Sequence, residues 1–280
     1  MTVVSTGELI EDASGGVGAF NVITLEHAEA IVAGAAQADR PVILQLSENA
    51  IKFHHGQIAP IAAATVAVAE AAEVPVALHL DHVTDVKLWE VAPQHGFGSV
   101  MIDASKLDYD ANVEETSRAV EFLNSRGLWV ESELGQVGGK AGERPLSAHE
   151  PGARTDPEEA AAYVAATGVD ALAVAVGSSH AMTTRDAALD QDLITDIKIA
   201  TRVPLVLHGS SGVPDAELAA AVRSGMVKIN IGTALNIAYT TAVREQFAAD
   251  TANVDPRRYL AAARDAMADT VARFLAILAP

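Results

Sequence analysis

The chain has 280 residues and carries 37 acidic against 19 basic side chains, a formal net charge of −18. Such a field repels nucleic acid and anionic membranes, so neither is an expected partner, and an anionic small ligand must be captured by local donors. With no cysteine there is no disulfide framework and no thiolate metal site, which fits a cytoplasmic protein.

The opening stretch MTVVSTGELIEDA has acids where a signal peptide needs a basic start and an apolar run. Farther on, charge breaks every apolar run before membrane-spanning length. Short β-rich runs follow in order: VGAFNVI (17–23), PVILQLS (41–47), VPVALHLD (74–81), SVMIDAS (99–105), LWVESELG (128–135), ALAVAVGS (171–178), VPLVLHGS (203–210) and MVKINIG (226–232). Between them lie Ala-rich stretches with helical spacing, such as 25–39 and 157–168. Continuous apolar strands alternating with helices indicate a parallel sheet covered on both faces. Eight such units predict an α/β chain folded as a single (β/α)8 TIM barrel over residues 1–280, with a helical extension from Asp255 onward. An open doubly wound sheet is the alternative, disfavoured because no Gly-x-Gly-x-x-Gly turn follows the first strand.

In a barrel the strand ends share one face, where barrel enzymes keep their chemistry. In order these ends carry Asn21, Ser47, Asp81 with His82, Asp103, Glu133, His180, His208 and Asn230. A lone strand-end histidine is commonly a satisfied polar group. His82, His180 and His208, at three strand ends of one mouth, point instead to a metal. Three neutral imidazoles without thiolate suit Zn²⁺ with positions left for water or substrate, although cobalt, iron or manganese could take the same ligands. His27, His54, His55, His95 and His149 are expected on helix or loop surface. His79 shares strand parity with Asp81 and is expected to point into the upper barrel in support, and Thr84 is a candidate helix cap.

Strands seven and eight carry an anion signal. Gly209-Ser210-Ser211-Gly212 precedes a helix opened by Pro214, and Asn230-Ile231-Gly232-Thr233 again leads directly into a helix. Small residues let backbone N–H groups approach an anion, hydroxyls donate further, and helix N-termini add a favourable dipole. Barrels often hold a phosphate between these two loops.

Taken in order, AFNV, LHLDH, MIDAS, ESELGQVGG, DALAVAVGSSH, VLHGSSGVP, KINIGTAL and DPRRYL resemble the class II, metal-dependent ketose-bisphosphate aldolases of the fructose-bisphosphate and tagatose-bisphosphate group. The resemblance runs from about Gly18 to Leu260. It implies that His82, His180 and His208 hold zinc, and that Asp81 exchanges a proton with the aldehyde half of a phosphorylated sugar. Asp103 and Glu133 become carboxylates of an alternative metal position. Gly209, Ser210, Ser211, Asn230, Ile231, Gly232 and Thr233 form the dihydroxyacetone-phosphate site, and Asn21, Ser47 and Ala181 complete the substrate-binding set. The long loop 136–155 would bring Glu143 for proton transfer at carbon. Arg257 would serve the far phosphate or a subunit contact, in a homodimer or homotetramer.

The chemistry suits these residue types. A cation held by neutral imidazoles keeps its charge and acts as a Lewis acid on the sugar carbonyl, and the aldehyde oxygen needs one neighbouring acid–base group. Two departures stand out. Ala181 occupies a position where many members have Gly beside the phosphate and a monovalent cation. Gly232 replaces the acid of the longer fructose-bisphosphate branch and favours the tagatose type. Two rival readings remain: a Schiff-base aldolase using Lys228, and a non-catalytic phosphosugar-binding barrel.

Overall fold

A computed structural model describes residues 2–135 and 154–279; Glu143, His149 and most of the loop that carries them lie outside this range. Among the described residues eight strands form: β1 (Val17–Asn21), β2 (Val42–Ser47), β3 (Val76–Val83), β4 (Ser99–Ile102), β5 (Trp129–Leu134), β6 (Ala171–Val174), β7 (Leu205–Leu207) and β8 (Met226–Ile231). Each pairs in parallel with the next, and β8 pairs with β1 to close the barrel. The helices are α1 (Thr6–Glu11), α2 (Leu25–Ala38), α3 (Glu48–Phe53), α4 (Ile58–Glu70), α5 (Val86–Val91), α6 (Tyr109–Asn124), α7 (Pro157–Thr167), α8 (Gln191–Thr201), α9 (Asp215–Ser224), α10 (Thr233–Ala249) and α11 (Pro256–Ile277). Of these α11 is the expected C-terminal extension, with Asp255 as its N-cap and Pro256 at its start. None of the described helices is long and apolar enough to cross a membrane.

Strand alternation divides the barrel into two environments. Phe20, Leu44, Leu46, Leu78, Leu80 and Val130 face outward and pack with the helices in one core. Val17, Ala19, Ile43 and Ala77 face inward at the N-terminal end, where Leu9 and Ile10 of α1 plug the barrel. Burying such an aliphatic side chain contributes about 1.5–3 kcal/mol. The α1 plug is fixed by a reciprocal cap, in which the Ser5 hydroxyl accepts from the Glu8 backbone N–H and the Glu8 carboxylate accepts from the Ser5 N–H. Above the apolar floor the pairing Gln45↔His79 and Ser47↔Asp81 sets polar residues in successive inward layers.

Several strands stop sooner than the apolar runs suggest: β4 at Ile102, β6 at Val174 and β7 at Leu207. The chain bends there into the loops that roof the mouth, with Gly177 and Gly209 at positive φ. Two expectations are corrected. Thr84 is not the cap of α5: Asp85 is, and Thr84 instead donates its N–H (2.6 Å) and hydroxyl to the Glu48 carboxylate. His27 is not on the surface. It is 5% exposed, accepts the Thr24 N–H at Nδ1 and stacks on Tyr239 of α10 at 5.0 Å, because α10 covers the start of α2.

Candidate metal centre

A cavity of about 640 Å³ opens at the C-terminal ends of the strands. His82, His180 and Asp81 reach it from β3 and the loop after β6, while His208 lies buried beneath, just past β7. The ring of His82 lies 4.7 Å from that of His208 and 5.0 Å from that of His180, and His180 lies 5.6 Å from His208. With Glu133 they form a group in which one donor atom from each residue lies within 4.8 Å of the others.

Local backbone makes this convergence available. The β3–β4 register shifts between Leu80 and Val83, and His82 sits at φ 49°. The bulge re-aims a side chain, so the consecutive Asp81 and His82 both line the cavity. A left-handed non-glycine residue costs about 1–2 kcal/mol, a strain typical of functional sites. The conformation is braced by Asp103, whose Oδ2 accepts from His82 Nδ1 at 2.8 Å.

His208 stands between two carboxylates. It donates from Nδ1 to Glu133 at 2.8 Å and from Nε2 to Glu131 at 3.0 Å. Burial disfavours its charge, but the hydrogen bonds to Glu131 and Glu133 overcome this and raise its pKa to about 9. In this form an imidazolium proton supplies the positive charge that the surrounding carboxylates require. Three imidazoles and a carboxylate are also the donor set of a divalent d-block cation, and the residues present fit one.

Beneath the cluster the interior is polar, whereas barrel interiors are usually filled by branched apolar side chains. Lys228 Nζ donates to Glu131 at 2.8 Å and lies 3.4 Å from His79 Nε2, and all three side chains are fully buried. Burial and the Lys228 charge press His79 down to about 3, so it stays neutral, with Nδ1 on the Ser99 hydroxyl at 2.8 Å. Asp81 is 2% exposed, 3.9 Å from His79 and 3.4 Å from the Asn230 amide. Burial alone would raise its pKa, but the charges of His82, Lys228 and His208 outweigh that and hold it below the usual carboxylate value. Asp81 is therefore ionised.

The two small-residue loops meet at the mouth. Gly209 has φ 69°, and a Cβ there would fall 2.5 Å from the Ser179 backbone. Ser211 accepts the Ala234 N–H at 3.0 Å and so ties the loop after β7 to the start of α10. A Cβ on Gly232 would lie 2.8 Å from the Asn21 amide oxygen. Asn21, Ser47, Ala181, Gly209, Ser211, Asn230, Gly232 and Thr233 all line the cavity. Two expected members do not bring their side chains there: the Ser210 hydroxyl turns back to Leu207 O at 3.1 Å, and Ile231 packs in the hydrophobic core. Arg257 is also outside the lining, its guanidinium on Asp255 at 2.8 Å.

Sequence reasoning missed Gln45 and Glu131. Each had a signal, since Gln45 shares parity with Ser47 and Glu131 with Glu133. Gln45 is 1% exposed, donates to Asn21 Oδ1 at 2.9 Å and lines the cavity. Among the described residues its Oε1 and the Asn230 Oδ1 are buried without a hydrogen-bond partner.

A family model described as "Fructose-bisphosphate aldolase class-II" matches residues 4–279. Fructose-bisphosphate aldolase of Geobacillus stearothermophilus is 39% identical over 279 residues, covering 97% of this chain and 95% of that one. The Staphylococcus epidermidis fructose-bisphosphate aldolase is 37% identical over 275 residues, with the same coverage. Among solved structures, the YdjI aldolase of Escherichia coli K12 superposes with a TM-score of 0.84 at 30% identity, covering 99% of this chain and 97% of that one.

Proposed function

The chain belongs to the class II fructose-bisphosphate aldolase family, a metal-dependent group of lyases, and from that premise we propose that it reversibly cleaves a ketose 1,6-bisphosphate of the fructose or tagatose type. The products are dihydroxyacetone phosphate and glyceraldehyde 3-phosphate. The metal is zinc, with cobalt an effective substitute, held by His82, His180 and His208. Glu133 and Asp103 flank these ligands as carboxylates for a second metal position. The observation that carries this reading is the meeting of three imidazoles and one ionised buried carboxylate at a single mouth.

Bound there, the cation supplies a Lewis acid for the sugar carbonyl. The chain's own residues do the rest. Asp81, ionised, accepts the proton of the C4 hydroxyl as the C3–C4 bond breaks, and returns it in condensation. The bonding pair remains on C3 of the dihydroxyacetone-phosphate half, which takes up a proton from a separate acid; Glu143 is assigned that role. The Asn230 amide orients Asp81, while its Oδ1 and Gln45 Oε1 are acceptors suited to sugar hydroxyls. Gly209, Ser211, Gly232 and Thr233 offer backbone and hydroxyl donors to the near phosphate, with the start of α10 beside them. Gly232 favours the tagatose type. Lys228 is held on Glu131 and does not line the cavity, which leaves the Schiff-base route without a nucleophile. For Arg257, outside this cavity, the role left is a subunit contact in a cytoplasmic homo-oligomer.

A panel of ketose mono- and bisphosphates, assayed for dihydroxyacetone phosphate release by zinc-loaded protein, tests the reading. A 1,6-bisphosphate should be the best substrate. An unphosphorylated ketose turned over equally well would defeat it.

A further inference from the structure

Three fully buried side chains, His208, Glu131 and Lys228, form a continuous chain whose lower members the reaction does not use. Glu131 and Glu133 lie two residues apart on β5 and both face into the barrel, Glu133 nearer the mouth. Each takes one nitrogen of the same ring: Glu133 the Nδ1 and Glu131 the Nε2. Glu133 belongs to the group of candidate metal donors and Glu131 does not. The Nδ1 edge of His208 thus faces the metal cluster, and the Nε2 edge faces down into the barrel. Glu131 is fixed there in turn by Lys228, 2.8 Å from its other oxygen.

We propose that Glu131, anchored by Lys228, is a positioning residue that keeps the Nε2–H of His208 in a hydrogen bond and thereby presents Nδ1 as the metal-binding nitrogen. An imidazole ligand binds through one nitrogen, and the partner of the other selects the tautomer and the ring orientation. Glu131 is placed to be that partner because it cannot exchange its hydrogen bond with water. Lys228 is then an anchor: it keeps Glu131 aimed, without touching substrate. This gives a use to two charges that a barrel interior would otherwise exclude. The proposal rests on the metal-centre reading above and concerns how one ligand of that centre is held.

Two measurements test it, neither of which reads catalysis. In zinc-loaded wild-type protein with ¹⁵N-labelled histidine, long-range ¹H–¹⁵N spectra should show His208 protonated at Nε2 and metal-bound at Nδ1. Zinc bound with the proton on Nδ1 overturns the proposal. Failure of wild-type protein to take up zinc at all refutes the metal centre itself, a different result from the wrong tautomer. The second measurement uses Glu131→Leu/Lys228→Met, which removes both buried charges together. Its Co²⁺ affinity, read by chelator competition, should fall by about 10–100-fold, with a changed visible spectrum of the bound ion. Glu131→Gln/Lys228→Met retains an acceptor oxygen and should recover most of that loss. A folded Leu/Met variant with wild-type Co²⁺ affinity and spectrum overturns the proposal and leaves the pair a packing element. Should that variant not fold, the tautomer measured in the wild type decides alone.

Discussion

Asp81 and His82 are consecutive in the chain, yet both line one cavity, because the β3 bulge holds His82 at φ 49°. A regular strand would send them to opposite faces. The bulge therefore sets the proposed proton-transfer group beside a proposed metal ligand. It follows that Asp81 can be altered without removing the metal. Asp81→Asn is nearly isosteric and should keep its zinc, while cleavage and condensation fall by about 10²–10⁴-fold, the usual worth of general acid–base assistance. Exchange of the dihydroxyacetone-phosphate α-proton with solvent needs no aldehyde and should fall much less. Equal loss of exchange and cleavage, with zinc retained, would make Asp81 an orienting residue instead.

The pH response of the metal-free protein follows from His208. Its folded pKa of about 9 lies above its ordinary 6.5. The stabilisation from its second proton is thus fully present below about pH 6.5 and is lost as the pH rises through about 9. Denaturant titrations should show metal-free wild-type protein losing stability across that window relative to His208→Asn. A metal must displace the same proton, so zinc affinity should rise about tenfold per pH unit there. A wild-type profile parallel to that of His208→Asn would mean that the ring is neutral between its two carboxylates.

At the mouth the close approach of two loops makes Gly209 intolerant of a side chain. A Cβ would fall 2.5 Å from the Ser179 backbone, and φ is 69°. Backbone cannot step aside as a flexible side chain can. Gly209→Ala should raise KM for the bisphosphate by more than about tenfold, a loss of at least about 1.4 kcal/mol in binding. An unchanged KM would remove this loop from the phosphate site.

Ala181 responds in the opposite sense. It sits at φ 57° beside His180, where a Cβ is strained. Ala181→Gly relieves that strain but loosens the unfolded chain, for a net gain of about 0.5–1 kcal/mol. Thermal unfolding of the two proteins measures it. A destabilised glycine variant would show that the Ala181 methyl packs usefully at the mouth.

Much of this was legible in the sequence. The eight apolar runs define the barrel because parallel strands covered on both faces must be apolar throughout. The polar residue closing each run then marks the mouth, which is how Asn21, Asp81, His82, His208 and Asn230 could be read from strand ends alone. The interior network was harder to see. Glu131 and Lys228 sit inside strands, where a charge looks like an interruption, and only the barrel's closure brings β5 and β8 across from one another. The His82 bulge left no trace in the pattern either, since its extra residue shows only against the β4 register. For Ser210 and Ile231 the motif gives backbone proximity only, since side-chain direction depends on how each turn closes, and here both side chains turn away from the cavity.

In the proposed reaction a metal held by His82, His180 and His208 enables cleavage, with Lys228 serving only as a buried counter-charge. The most direct measurement follows dihydroxyacetone phosphate release from the preferred ketose bisphosphate, before and after exhaustive chelation and again after adding Zn²⁺, with parallel borohydride treatment in the presence of substrate. Release should vanish on chelation and return with Zn²⁺ or Co²⁺, and mass spectrometry should find Lys228 unmodified. Release that persists in metal-free protein, with substrate reduced onto Lys228, would contradict the account.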